Sequence, residues 1–206
     1  MRKILVASVA AVAIAACQGM SVGVGVGGMS GNVGGGVSTS VDVGGGQQAA
    51  PGRIVVSMFK IDAKGVGAEI GTLSFSDSRK GLRIDAALGG LPTGDHGMHI
   101  HETADCGPGM KDGKPGAGIA AGGHFDPNAT GKHMGPMGDG HRGDLPVLRV
   151  DSNGNASGTE FALRLSTSDV RGHAIVIHEG GDNYADQPKP LGGGGARIAC
   201  GVVSAQ

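Results

Sequence analysis

Aromatic residues are scarce in this chain: 206 residues carry no Trp, one Tyr and four Phe. Stacking platforms for bases are therefore few. The formal net charge of −1 supplies no basic field for a polyanion, and both facts argue against a nucleic-acid-binding protein. Beyond residue 16 no segment is long and apolar enough to cross a membrane as a helix. Convincing helical periodicity is missing as well. Cysteine is limited to Cys17, Cys106 and Cys200. Neither Cys106 nor Cys200 has another Cys or a His at finger spacing, which sets aside a cysteine-based zinc site.

The front of the chain reads as an export signal followed by a tether. Arg2 and Lys3 precede an uncharged apolar run from Ile4 to Ala16. That run is too short for a permanent membrane span and fits a secretory signal over 1–16. It ends in Ile14-Ala15-Ala16-Cys17, which resembles a bacterial lipobox. The resemblance implies cleavage before Cys17 and lipid on that cysteine. Gln18, where an Asp would favour the inner membrane, points to the outer one. Without residues 1–16 the chain has 15 basic against 18 acidic residues, a net charge of −3. From Gln18 to Ala50 the only charge is Asp42, and 12 of 33 residues are glycine. Such a segment cannot bury enough apolar surface to offset its chain entropy. A lipid-anchored tether over 17–50 follows, with a span of roughly 30 Å.

Residues 51–206 form one domain of ordinary size, and their pattern is all-β. Short alternating or β-branched segments recur at Arg53–Ile61, Ala68–Phe75, Leu82–Ala86, around His99, and at Val147–Val150, Phe161–Leu165, Ala174–Ile177 and Arg197–Val203. The turn sequence Asp151-Ser152-Asn153-Gly154 separates two of them. About eight strands with Gly- and Pro-rich turns favour a sandwich or barrel. Residues 103–145 have no periodic pattern and are dense in Gly, Pro and Asp. A loop of that length is functional or disordered, and three of its residues are histidines. A second irregular stretch runs from Gly180 to Ala196. With Cys17 lipidated, Cys106 and Cys200 are an even pair in an exported protein, which reads as a disulfide. It would pin the start of the long loop to the last strand.

Histidines carry the chemistry. His99 and His101, one residue apart on a strand, point to the same face and make half of a metal site. His124, His133, His141 and Asp144 lie in the long loop, where the glycine in His141-Arg142-Gly143-Asp144 is expected to bend the two side chains inward. Three imidazoles and one carboxylate suit a closed zinc site. An all-imidazole set suits copper. If His124 is shared, His99, His101, His124 and His178 make one set. His124, His133, His141 and Asp144 then make the other.

At this point the chain resembles the bacterial exported copper/zinc superoxide dismutases. The matching stretches are His96-Gly97-Met98-His99-Ile100-His101-Glu102, Ala121-Gly122-Gly123-His124-Phe125-Asp126-Pro127, Thr130-Gly131-Lys132-His133 and Gly138-Asp139-Gly140-His141-Arg142-Gly143-Asp144-Leu145-Pro146. His178-Glu179-Gly180-Gly181-Asp182-Asn183 and the run from Pro190 to Gly201 complete them, in order across the domain. Met98 stands where the family often has an aromatic. The resemblance implies an eight-stranded Greek-key barrel or immunoglobulin-like sandwich with a long metal-binding loop and a second active-site loop. It implies one copper on His99, His101, His124 and His178, and one zinc on His124, His133, His141 and Asp144, per subunit. Asp182 would link a copper-side to a zinc-side histidine. Arg197 would guide superoxide, with Lys132 and Lys189 as further candidates. His124 would carry a proton during alternating Cu(II)/Cu(I) redox that yields O₂ and H₂O₂. His96 would be structural, and His173 is expected at the surface. The implied setting is the periplasm, on the outer membrane through Cys17, as a monomer or homodimer. A metal-storage module would need the ligands but neither Arg197 nor a shared His124.

Overall fold

Apolar side chains alternate along β1 (Ile54–Asp62), with Val56 and Met58 buried and Val55 and Ser57 exposed. The next buried residue is Ile61, out of phase, because the pairing with β2 slips at Met58/Phe59 and again at Phe59/Ile61. Such a bulge turns the strand's far end toward a second face. These features belong to a computed structural model that describes residues 52–206. The expected signal, lipidated Cys17 and tether lie outside the described residues, as does Pro51.

The remaining strands are β2 (Gly65–Ser78), β3 (Gly81–Leu88), β4 (Gly94–His96), β5 (Met98–His101), β6 (Gly109–Lys111), β7 (Lys114–Gly116), β8 (Leu148–Val150), β9 (Ala156–Ala162), β10 (Ala174–His178) and β11 (Arg197–Val202). Seven of them hydrogen-bond in the order β5-β10-β11-β1-β2-β3-β9, and all their pairs are antiparallel. Only Gly97 separates β4 from β5, and β4 pairs with β8, whose chain turns at 151–155 into β9. The β4–β8 ribbon thus ties the two edges of the sheet together and curls it closed. The chain leaves one edge for the other after β3 and after β9, which is Greek-key connectivity. This is the all-β barrel expected from the sequence. Among the described residues no helix is long and apolar enough to cross a membrane.

Three details differ from expectation. The strand expected over Phe161–Leu165 is β9, Ala156–Ala162. Its register opposite β3 runs from Leu88↔Ala156 to Leu82↔Ala162, where β3 begins and no partner remains for residues 163–165. The short strand β4 is not signalled by alternation, because it is half of a three-residue ribbon. The long loop contains a small hairpin, β6–β7, and a 3₁₀ turn at Ile119–Ala121.

The barrel wall at β5–β10–β11 is buried on both sides. Met98, Ile100, Ile175, Ile177 and Ala199 face the main core beside Phe75, Leu73 and Leu145. Ala174, Val176 and Cys200 face outward into a smaller cluster with Ile61, Cys106 and Ala121. The long loop therefore covers the outer face of this wall and shields His99, His101, His124 and His178 from water. Cys106 and Cys200 are disulfide-bonded, with Cα atoms 5.7 Å apart across 94 residues of chain.

A bridge closing that much chain contributes roughly 2–4 kcal/mol through the unfolded state. Replacing both cysteines by Ser should lower the urea midpoint of the metal-free protein without changing the far-ultraviolet spectrum. Hydrogen exchange should then rise first in 103–124. An unchanged midpoint would show that the bridge does not restrain the loop.

Candidate metal centre

Strand β5 has β10 on one side and a free edge on the other, and the long loop zips onto that edge. Ile100 N donates to Gly143 O (2.9 Å) and Phe125 N to Ile100 O (2.9 Å). Glu102 N donates to Gly123 O (3.1 Å) and Leu145 N to Met98 O (3.3 Å). Two isolated bridges result, His101↔His124 and His99↔Asp144. Because β5 side chains alternate, His99 and His101 leave the core together and meet His124 and Asp144. Gly143 is needed for a different reason from the expected bend. A Cβ there would stand 2.3 Å from the Ile100 carbonyl oxygen, so only glycine lets the loop reach the strand.

His99, His101, His124 and His178 each offer a ring nitrogen within 4.8 Å of the others, and all four are buried. The opposite nitrogens are fixed. His99 Nε2 donates to Asp182 Oδ2 (2.8 Å), His101 Nδ1 to the Gly122 carbonyl (3.0 Å) and His178 Nδ1 to the Gly195 carbonyl (3.3 Å). Oxygen acceptors on those sides place the ring protons there. His99 Nδ1, His101 Nε2 and His178 Nε2 are left buried without a hydrogen-bond partner. Burial, and then neighbouring imidazoles, push His178 down to about 3. Burial likewise takes His124 down to about 4 and lowers His99 and His101. Neutral imidazoles with inward lone pairs are what a metal ion requires.

A second group centres on Asp144. Its Oδ1 lies 3.0 Å from His133 Nδ1, 3.2 Å from His124 Nδ1 and 3.5 Å from His141 Nδ1. Its Oδ2 accepts the N–H groups of Met134 (3.1 Å) and Gly135 (3.0 Å). The donors that all fall within 4.8 Å of one another are His99, His124, His133 and Asp144, so His141 stands slightly outside. Donor chemistry favours His141 over His99 for this group. His99 has Nε2 on Asp182 and turns Nδ1 to the first set, whereas His141 Nδ1 is buried and faces Asp144 Oδ1. Burial alone would raise Asp144, but the bonds and charges of His124 and His133 hold it well below the usual carboxylate range. Burial would lower His133, yet Asp144 and Asp182 together raise it to about 9. The pocket thus calls for positive charge beside His133.

Asp182 joins the two groups, accepting from His99 Nε2 (2.8 Å) and His133 Nε2 (2.7 Å). At Gly192, whose φ is +69°, a Cβ would lie 1.9 Å from Asp182 Oδ1, so the second loop can fold over the carboxylate only with glycine there. Arg197 is half-buried. Its Nη1 donates to Gly118 O and its Nη2 to Gly122 O (2.6 Å). The latter carbonyl also accepts from His101. Lys132 and Lys189 are exposed.

His96 lies buried beneath the site, its Nδ1 2.7 Å from His178 O and its Nε2 2.8 Å from Pro92 O. His173 is only partly at the surface. It is half-buried, with Nδ1 3.0 Å from the carbonyls of both His101 and Glu102 and its ring 4.2 Å from Phe125. The position just before β10, opposite the end of β5, carries it under the loop. Sequence reasoning also missed three supports. Arg164 Nη2 donates to His141 O (3.0 Å), Asp186 Oδ2 accepts His133 N (3.0 Å), and Glu102 Oε2 accepts Gly123 N (2.8 Å). All three partners lie more than twenty residues away in sequence, and each bond goes to a backbone group, which side-chain periodicity does not register.

Residues 69–203 match the family model described as copper/zinc superoxide dismutase. "Superoxide dismutase [Cu-Zn] 2" of Salmonella typhimurium is 52% identical over 159 residues, 77% of this chain and 91% of the relative. "Superoxide dismutase [Cu-Zn]" of Escherichia coli K12 is 48% identical over the same shares. Among solved structures, a Cu/Zn superoxide dismutase from Brucella abortus aligns with a TM-score of 0.72 at 45% identity, covering 73% of this chain and 99% of that one. The solution structure of the monomeric copper, zinc enzyme from Salmonella enterica gives 0.66 at 51% identity, over the same shares.

These electrostatic environments imply a pH dependence for the metal-free protein. His133, raised to about 9, contributes stability that is full below the unfolded value of 6.5 and fades as pH climbs through 9. His124 and His178, lowered to about 4 and about 3, leave the unfolded chain binding more protons below 6.5. Their contribution is lost as pH falls through that window. The metal-free melting temperature should therefore peak near pH 6.5 and drop on both sides. A flat profile between about pH 4.5 and 9 would contradict these protonation states.

Proposed function

We propose, from the premise that the chain belongs to the copper/zinc superoxide dismutase family, that its seven-residue cluster divides between the two metals through a shared His124. The activity is superoxide dismutation, and the cofactors are copper and zinc. Copper would be held by His99, His101, His124 and His178. Zinc would be held by His124, His133, His141 and Asp144. The observation that carries this reading is the set of buried nitrogens at His99, His101 and His178 that have no partner, beside those of His133 and His141 that converge on Asp144 Oδ1.

When bound, copper supplies the electron traffic: one superoxide is oxidised to O₂, and a second is reduced and leaves with two protons as H₂O₂. The chain's own residues do the rest. Asp182 holds His99 and His133 in the tautomers that turn Nδ1 inward. Gly122 O and Gly195 O do the same for His101 and His178, with Nε2 inward. His124, with Nδ1 toward Asp144, takes a proton at Nε2 in one half of the cycle and gives it to the departing peroxide in the other, solvent water supplying the second proton. Arg197, fixed by two carbonyls, hydrogen-bonds superoxide and supplies a local positive charge. The mature chain is net negative, so attraction of the anion has to be local.

The setting we infer is the cell envelope. The disulfide fits an oxidising compartment. The apolar segment before Cys17 supports export and lipid attachment, with 17–50 as the tether, an outer-membrane anchor and a domain in the periplasm. There it would remove extracytoplasmic superoxide, as a monomer or homodimer.

Metal content and dismutation measured on one purified sample test this reading. Full copper and zinc loading without dismutation would overturn it. His124→Ala should lose copper and disturb zinc, whereas His178→Ala should lose copper and retain zinc. Unchanged copper in both would refute the ligand division. Arg197→Gln should keep both metals and lower kcat/KM about tenfold or more, and wild-type turnover in that variant would remove Arg197 from the reaction.

A further inference from the structure

Glu102 places a negative charge at the rim of a site whose substrate is itself an anion. The residue is exposed, and a lone carboxylate there slows the encounter with superoxide. Its hydrogen bonds give it a different task. The Glu102 N–H donates to Gly123 O (3.1 Å), and its Oε2 accepts the Gly123 N–H (2.8 Å). One residue therefore grips both polar groups of Gly123. The carboxylate also lies against the preceding residue, since a Cβ at Gly122 would meet Oε2 at 2.5 Å.

The carbonyl of Gly122 is the acceptor common to His101 Nδ1 (3.0 Å) and Arg197 Nη2 (2.6 Å). His124 follows Gly123 directly, and Glu102 itself follows His101. Three functional side chains thus take their position from one two-residue peptide. Burial works against the charge on Arg197, and Glu102 works for it.

We propose that Glu102 is a positioning residue for dismutation: by gripping Gly123 it holds the Gly122 carbonyl where it aims His101 at copper and Arg197 at superoxide. The inference rests on the dismutase reading above and on its copper ligands.

Glu102→Gln and Glu102→Ala remove the same charge, but only Gln keeps an oxygen that can accept the Gly123 N–H. Both should be compared with the wild type as full-length, copper- and zinc-loaded protein. In Glu102→Gln, kcat/KM should rise about twofold at low ionic strength and converge on wild type in high salt. Glu102→Ala should fall about fivefold below Glu102→Gln at every salt concentration. The Cu(II) electron paramagnetic resonance spectrum should be unchanged in Gln and altered in hyperfine coupling in Ala, or copper should be lost from Ala alone. Two variants with the same rates and the same spectra, or the same copper loss, would overturn the proposal. A wild-type protein that loads both metals without turnover would instead overturn the dismutase reading, and the spectra would still decide the role of Glu102.

Discussion

Five buried imidazole nitrogens are the constraint on which the rest of this structure depends: His99 Nδ1, His101 Nε2 and His178 Nε2 have no hydrogen-bond partner, and His133 Nδ1 and His141 Nδ1 face only the Asp144 carboxylate. Each such nitrogen costs on the order of 1–3 kcal/mol when nothing answers it. A metal-free fold carries that penalty, and a cation removes it. The opposite nitrogens explain how the arrangement survives folding. Asp182 and the carbonyls of Gly122 and Gly195 hold the proton-bearing sides, so the rings cannot turn to relieve one another. Protonation is no escape for His99, His101, His124 and His178, because burial disfavours the charged ring. His133 is the exception. Two carboxylates beside it pull in positive charge, and a divalent cation answers that demand better than a proton.

Holding such a cluster requires walls on every side. Strand β5 supplies the first: its core face is packed by Met98 and Ile100, and its outer face carries His99 and His101. The long loop supplies the second by hydrogen-bonding to the free edge of β5, which glycine at 143 makes sterically possible. The disulfide fixes where that loop begins. The second loop supplies the lid, with Asp182 reaching His99 and His133 at once and Asp186 accepting the His133 N–H. The barrel thus contributes the histidines whose places are set by strand geometry. The loops contribute the other candidate donors, whose places depend on cross-links.

That division explains what could be read from the sequence. The period of two made His99 and His101 a pair without any structure, and β-rich segments located most strands. The histidines and Asp144 of the long loop, with His178, complete both candidate sets from residue chemistry, and the motif match adds Asp182 and Arg197. The end of β9 was misplaced because a strand stops where its partner stops, and the start of β3 at Gly81 is not visible from Phe161–Leu165. Strand parity places His173 at the surface but does not say what partly covers that face. Glu102 and Arg164 left no signal, since their work is done through backbone carbonyls and amides of other segments. Their partners, Gly123 and His141, are 21 and 23 residues away.

The sharing of His124 is the claim from which the two-metal division follows. Anomalous diffraction from crystals of the loaded protein, collected at the copper and zinc edges, addresses it most directly. The expected result is two separate peaks with the His124 ring between them, copper beside His99, His101 and His178 and zinc beside His133, His141 and Asp144. A single mixed peak, or a zinc peak bound by His99 in place of His141, would contradict it.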